Sequence, residues 1–338
     1  MNLKRALSFD DVLLIPQYSE VESRSEIKMN QRLKNVGEFS LPIISSPMDT
    51  ITGYEMSRAM HAAGGIGIVH RYNTIKEQVK IASGVTSLGT ICGAAIGMGD
   101  DFVERAIALV NTGVGFLCID VAHGHHSKMR YALQTLRKTM GDSIHIMAGN
   151  VATLEAFNNL ADWGADSIRV GIGGGSICST RIKTGHGMPT LQSIMDCSLS
   201  DRDAALVADG GIRNSGDITK ALAAGADFVM VGSLLAGTDE TPGKTIETKR
   251  GKMKAYRGMA SKEAQWKWRG RVSSIEGVAA IVPLKGPVDG VLSDLKVGIT
   301  SGISYSGATD VASLQAKARF IQQTTSGQVE SSTHIRRI

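Results

Sequence analysis

The chain has 338 residues, 42% of them hydrophobic and 20% charged, with a formal net charge of +5. That balance fits a folded chain able to bury a core, and no apolar run reaches the roughly 18 residues that span a bilayer. Basic residues are spread along the sequence, with "KWRGR" (267–271) the nearest thing to a patch, so neither nucleic acid nor a membrane is an expected partner. The N-terminus, "MNLKRALSFDDVLLIPQ", is too short in its apolar part and too acidic for a signal peptide, which points to the cytoplasm. The four cysteines form no CxxC pair, so a zinc site is not expected.

Short apolar runs that end in small or polar residues recur along the chain. They are "LPIISSPMDT" (41–50), "GGIGIVHRYN" (64–73), "GTICGAAIG" (89–97), "GFLCIDVAHG" (115–124), "IHIMAGNVAT" (144–153), "DSIRVGIGGG" (166–175), "AALVADGGI" (204–212) and "DFVMVGSLLAG" (227–237). Stretches such as "TLEAFNNLADWGA" and "SGDITKALAAGA" lie between them, with helical periodicity and a closing Gly-Ala. Continuous apolar runs predict strands buried on both faces, and strand–helix repeats predict a parallel sheet. About eight such units in one domain spanning 1–338 fit a (β/α)8 barrel; a doubly wound sheet is the alternative. From 249 to 290 a polar, basic segment with two tryptophans interrupts the rhythm and reads as a lid; 324–338 reads as a surface tail.

In such a barrel the strand ends carry the chemistry. Here they hold Ser46 to Asp49, His70-Arg71, Asp120 with His123, Gly149-Asn150, Gly173 to Cys178, Asp209 to Gly211, and Gly232-Ser233. Glycines in "GGGS" (173–176), "DGGI" (209–212) and "VGS" (231–233) let backbone N–H groups approach a phosphate, with Ser176 and Ser233 adding hydroxyls. Cys178, on a glycine-rich loop near a helix start and Arg181, is a candidate nucleophile, and Thr180 a candidate proton carrier. Asp120 and Asp209 suit sugar hydroxyls, or cap helices.

The motifs "FDDVLLIPQYSEV", "SSPMDTIT", "IDVAHGH", "AGNVAT", "GIGGGSICSTR", "ADGGIRNSGDITKALAAGADFVMVGSLLAGTDETPG", "YRGMAS" and "VPLKGPV" together resemble the IMP dehydrogenase / GMP reductase family over essentially the whole chain. The resemblance implies a homotetrameric (β/α)8 enzyme. Its cysteine attacks purine C2 of a nucleotide, and hydride passes between C2 and a nicotinamide cofactor. It implies Cys178 as nucleophile with Thr180 as its catalytic neighbour. It gives Asp209 the ribose hydroxyls, and Ser176, Gly211, Gly232, Ser233 and Tyr256 the 5′-phosphate. Ser46, Met48, Asn150 and Arg169 are then pocket residues, Met259 and Ala260 meet the base edge, and Asp120 faces the nicotinamide riboside. In the dehydrogenases, carbonyls of Gly173, Gly175 and Cys178 bind potassium, with Glu330 and Ser331 of the partner subunit helping.

The regulatory domain that dehydrogenases usually insert is absent here. "KTGHGMP" (183–189) resembles the reductases, and no Arg-Tyr pair of the dehydrogenase kind occurs in 260–283. Reductases place a glutamate shortly after the "GM" dipeptide. Here Glu263 is one step from that position, and Glu276 is a second candidate. The expected activity is therefore NADPH-dependent reduction of GMP to IMP and ammonia. IMP dehydrogenase with NAD is the alternative, and an inactive nucleotide-binding regulator a third.

Overall fold

The computed structural model describes residues 3–273, 275–331 and 333. Eight parallel strands close into a barrel: β1 Ile43–Ser45, β2 Ile66–Val69, β3 Cys92–Ile96, β4 Phe116–Asp120, β5 His145–Val151, β6 Ser167–Val170, β7 Ala205–Asp209 and β8 Phe228–Val231. Closure is completed where β8 pairs β1 through Val229↔Ile43, Met230↔Ile44 and Val231↔Ser45. All eight apolar runs therefore become strands, and the doubly wound alternative is excluded. Outside lie α1 Tyr54–Ala62, α2 Ile75–Thr86, α3 Phe102–Val110, α4 Ser127–Met140, α5 Leu154–Asp162, α6 Thr190–Cys197, α7 Ser215–Ala223 and α8 Val288–Tyr305.

Strand side chains alternate between two cores. Ile44, Ile66, Ile68, Phe116, Val207 and Phe228 fill the barrel. Their neighbours, such as Ile43, Val69 and Leu117, pack with the helices. Both faces are dry, which is why the sequence shows continuous apolar runs. The helices end as their sequence signals predict. Gly225, after α7, has φ +112°, and a Cβ there would stand 2.4 Å from Ser198 Cβ.

Three pieces fall outside the sequence pattern. A hairpin, Gln31–Leu33 and Gly37–Phe39, adds Leu33 and Phe39 to the barrel's interior core, with Phe39 edge-on to Phe228 at 6.3 Å. Strand Val12–Leu14 pairs antiparallel with Phe320–Gln322. The segment expected as a lid contains an antiparallel sheet, Ile246–Thr248, Gly251–Arg257 and Ala279–Pro283, with helix Lys262–Arg269 between its last two strands. The described part of the tail forms helix Thr325–Glu330. No helix among the described residues is long and apolar enough to cross a membrane.

Candidate active site

The loop after β6 turns sharply at Gly171, where φ is +147° and a Cβ would meet Asp209 O at 1.9 Å. It continues through Gly173–Gly175 to Cys178, whose N–H donates to Gly175 O at 3.0 Å. A helical turn, Thr180–Thr184, follows. Cys178 then bridges antiparallel to Gly277: Ser179 N donates to Glu276 O (2.9 Å) and Val278 N to Ile177 O (3.0 Å). The thiol's loop is thus joined to the segment that follows helix Lys262–Arg269.

That joining brings a carboxylate to the thiol. Cys178 Sγ donates to Thr180 Oγ1 at 3.1 Å, and Thr180 Oγ1 donates to Glu276 Oε2 at 2.9 Å. Glu263, the nearer candidate in sequence, is placed elsewhere. It is exposed on the first turn of helix Lys262–Arg269 and does not line the cavity, whereas Glu276 does. The helical register explains the shift, because Ala264 and Gln265 are the buried residues of that turn. Arg181 also departs from expectation: it extends over Gly173 and Gly187 and donates to Met188 O at 2.7 Å. The other three cysteines are buried, and burial pushes the thiols of Cys92, Cys118 and Cys197 up to about 12.

A buried ionic network forms the floor. Arg169 is 6% exposed and donates Nη1 to Asp120 Oδ1 (2.6 Å) and Nη2 to Asp209 Oδ2 (2.8 Å). Asn150 Nδ2 adds a bond to Asp209 Oδ2 at 2.8 Å. Arg71 donates to Asp120 Oδ2 at 3.4 Å and to its backbone oxygen at 3.0 Å. Burial disfavours ionised Asp120, but the Arg169 and Arg71 guanidiniums prevail and hold its carboxyl below the ordinary value. For Arg169, burial is likewise overcome by Asp209 and Asp120, which keep the guanidinium charged.

Above this floor lies a cavity of about 430 Å³ that brings together the ends of every barrel strand but β3. Ser46, Met48, Gly211, Met259 and Ala260 line it, as do Asp120, Asn150, Arg169 and Asp209. On one side Tyr256, from strand Gly251–Arg257, sets its hydroxyl 3.2 Å from Ser176 Oγ, and Ser233 lines the same cavity. The bare Cα of Gly232 faces them, with Tyr256 Oη 3.4 Å from where a Cβ would stand. Hydroxyls, a glycine and the turn start at Gly232 so converge on one spot with no carboxylate among them, a cradle that fits an anion. Met259 is held by Tyr72, whose hydroxyl donates to its carbonyl at 2.6 Å.

Two further contacts carry no signal that sequence reading used. Tyr72 stacks on Trp268 (4.2 Å, 15°), and Arg71 lies over both rings. The two tryptophans of residues 249–290 are the available hint. Gly173 and Cys178 accept no hydrogen bond at their carbonyls among the described residues, and Gly175 accepts one. Glu330 and Ser331 lie on the exposed helix Thr325–Glu330 and its cap, outside the cavity.

A thiol relayed to a carboxylate beside an anion cradle, at the strand ends of a barrel, defines an enzyme of nucleotide chemistry. The IMP dehydrogenase / GMP reductase domain model matches residues 6–334. The chain belongs to that family, whose members are NAD(P)-dependent purine nucleotide oxidoreductases. It is 33% identical to an inosine-5′-monophosphate dehydrogenase of Nitrosopumilus maritimus, over 99% of both chains. It is 31% identical to a GMP reductase of Leishmania major, over 98% of this chain and 97% of that one. The first alignment runs over 473 positions, so that relative carries internal residues without counterpart here. A crystal structure of Trypanosoma brucei GMP reductase in complex with guanosine 5′-monophosphate superposes with a TM-score of 0.94 at 30% identity, covering 99% of each chain.

Proposed function

We propose that the protein is a GMP reductase, converting GMP, NADPH and a proton to IMP, ammonia and NADP+. The observation that carries this reading is the Cys178–Thr180–Glu276 relay. The thiol proton passes to Thr180 and the hydroxyl proton to Glu276 as Cys178 Sγ bonds to purine C2. Glu276, now protonated, returns its proton to the departing C2 amino group, which leaves as ammonia. The nicotinamide cofactor supplies hydride to C2 when bound. The C2–S bond then breaks, and Cys178 leaves as a thiolate that takes a proton from solvent to restore the thiol. The remaining groups orient. Asp209 and Asn150 take the ribose hydroxyls. Ser176, Gly211, Gly232, Ser233 and Tyr256 hold the 5′-phosphate, with Ser46, Met48 and Arg169 along the pocket. Met259 and Ala260 meet the base edge. Asp120, facing the cavity between Arg169 and Arg71, fits the nicotinamide riboside.

The free carbonyls of Gly173 and Cys178, with that of Gly175, fit a potassium ion. In a homotetramer Glu330 and Ser331 of the partner subunit complete its shell; light scattering tests the assembly. The segment from 249 to 290 acts as the flap over the cavity. A second reading, IMP dehydrogenase with NAD, is favoured by Arg269, which lines the cavity and could activate water in place of an Arg-Tyr pair. Absorbance at 340 nm, followed with GMP plus NADPH and separately with IMP plus NAD+, tests both. Oxidation of NADPH with GMP supports the reductase; NADH formation with IMP alone overturns it.

A further inference from the structure

We propose that Lys254 is a positioning residue that fixes phosphate recognition by Tyr256; the inference rests on the nucleotide reading above. Lys254 is 4% exposed, yet no carboxylate of the described residues lies within 4 Å of its ammonium. Instead Nζ donates to three backbone carbonyls, Thr238 (3.1 Å), Asp239 (2.9 Å) and Thr241 (2.7 Å). An ammonium has three N–H donors, so this cage uses all of them. Burial draws the lysine below its ordinary value, which shows the charge is held at a cost.

The cage joins two parts of one site. Its carbonyls belong to the turn directly after Gly232–Ala236, the turn that faces the anion cradle. Lys254 itself lies two residues before Tyr256 on strand Gly251–Arg257, so both side chains leave the same face. Tyr256 is 6% exposed, and its hydroxyl meets Ser176 at 3.2 Å. Fixing Lys254 on the turn therefore fixes the height of the Tyr256 hydroxyl over Gly232. Lys285 repeats the device after strand Ala279–Pro283, donating to Ser233 O (3.2 Å) and Leu234 O (3.0 Å). The two strands flanking the flap helix are thus both tied through ammonium groups to the chain that follows β8.

Isothermal titration with GMP, and with guanosine as the phosphate-free probe, tests this on the wild type, K254M, K254R, Y256F and K254M/Y256F. K254M should weaken GMP about tenfold, equivalent to roughly 1.4 kcal/mol. Guanosine should weaken less than about twofold, and kcat should stay within about threefold. K254R keeps the charge, but its planar fork cannot fill a three-carbonyl tripod, so it should lose about threefold on GMP. It carries the test if K254M does not fold. In the Y256F background K254M should cost little more. Equal loss for GMP and guanosine, or losses that multiply across the double variant, overturns the inference. So does unchanged GMP binding by K254M. Wild-type protein that binds neither GMP nor IMP overturns the nucleotide reading itself.

Discussion

Thr180 Oγ1 donates to Glu276 Oε2 at 2.9 Å, across 96 residues of sequence. Glu276→Gln keeps the shape and removes the base. It should lower kcat about 10²- to 10³-fold with little change in nucleotide KM, while Glu263→Gln should stay within about twofold. Steady-state kinetics on both variants decides which glutamate serves Cys178.

The paired Asp120 should make stability depend on acid. Its carboxyl is held below the ordinary value in the folded state, so it contributes stability above about pH 4 that is lost as pH falls further. Asp120→Asn should therefore cost about 2 kcal/mol at pH 7, and the gap to wild type should shrink below pH 4. Denaturant melts across pH measure this; a gap independent of pH would count against an ionised Asp120.

His70 works in the same direction but in a higher pH window. It is 9% exposed with Nδ1 unpartnered among the described residues, and burial lowers it to about 4. The unfolded chain therefore binds its proton first, and stability is lost as pH falls from about 6.5 towards 4. The loss attributable to His70 is about 2 kcal/mol at pH 5. His70→Asn should flatten the melting profile between pH 7 and pH 5; an unaltered slope would show the ring is not the titrating group.

Phe116 fills the barrel's interior and is fully buried. It also lies where any side chain at position 93 would stand, because a Cβ on Gly93 would be 2.4 Å from its Cζ. Phe116→Ala should destabilise by about 3–5 kcal/mol through the cavity left behind. Urea melts measure the loss, and one under about 1 kcal/mol would mean the barrel repacks.

Trp268→Ala should loosen helix Lys262–Arg269. The Tyr72 stack contributes about 1 kcal/mol beyond burial. Proteolysis within 262–271 should speed up, with nucleotide affinity unchanged. Equal cleavage of both proteins would show that the stack does not hold the helix.

The barrel was legible because its strands are dry on both faces, and eight continuous apolar runs leave little else to build. The strand-end residues were legible for the same reason, since closure alone brings Ser46 and Asp209 to one rim. Sequence distance hid the rest. Glu276 approaches Thr180 only because residues 276–278 pair with the Cys178 loop, and no local spacing reveals such a pairing. Glu263 was misplaced by a single step of helical register. The Gln31–Phe39 hairpin escaped because its strands are three residues each, too short for an alternating pattern.

The Cys178–Gly277 bridge makes the thiol's loop and the segment around Glu276, the roof of the site, one object. Swinging the roof away would break the backbone bonds that hold Ser179 and Val278, and would carry Glu276 off with it. An open enzyme would thus be a disarmed one, its Thr180 without the carboxylate that takes the relayed proton until the roof returns. The full relay would then exist only in the closed state, and in an open cavity Cys178 would face Thr180 alone.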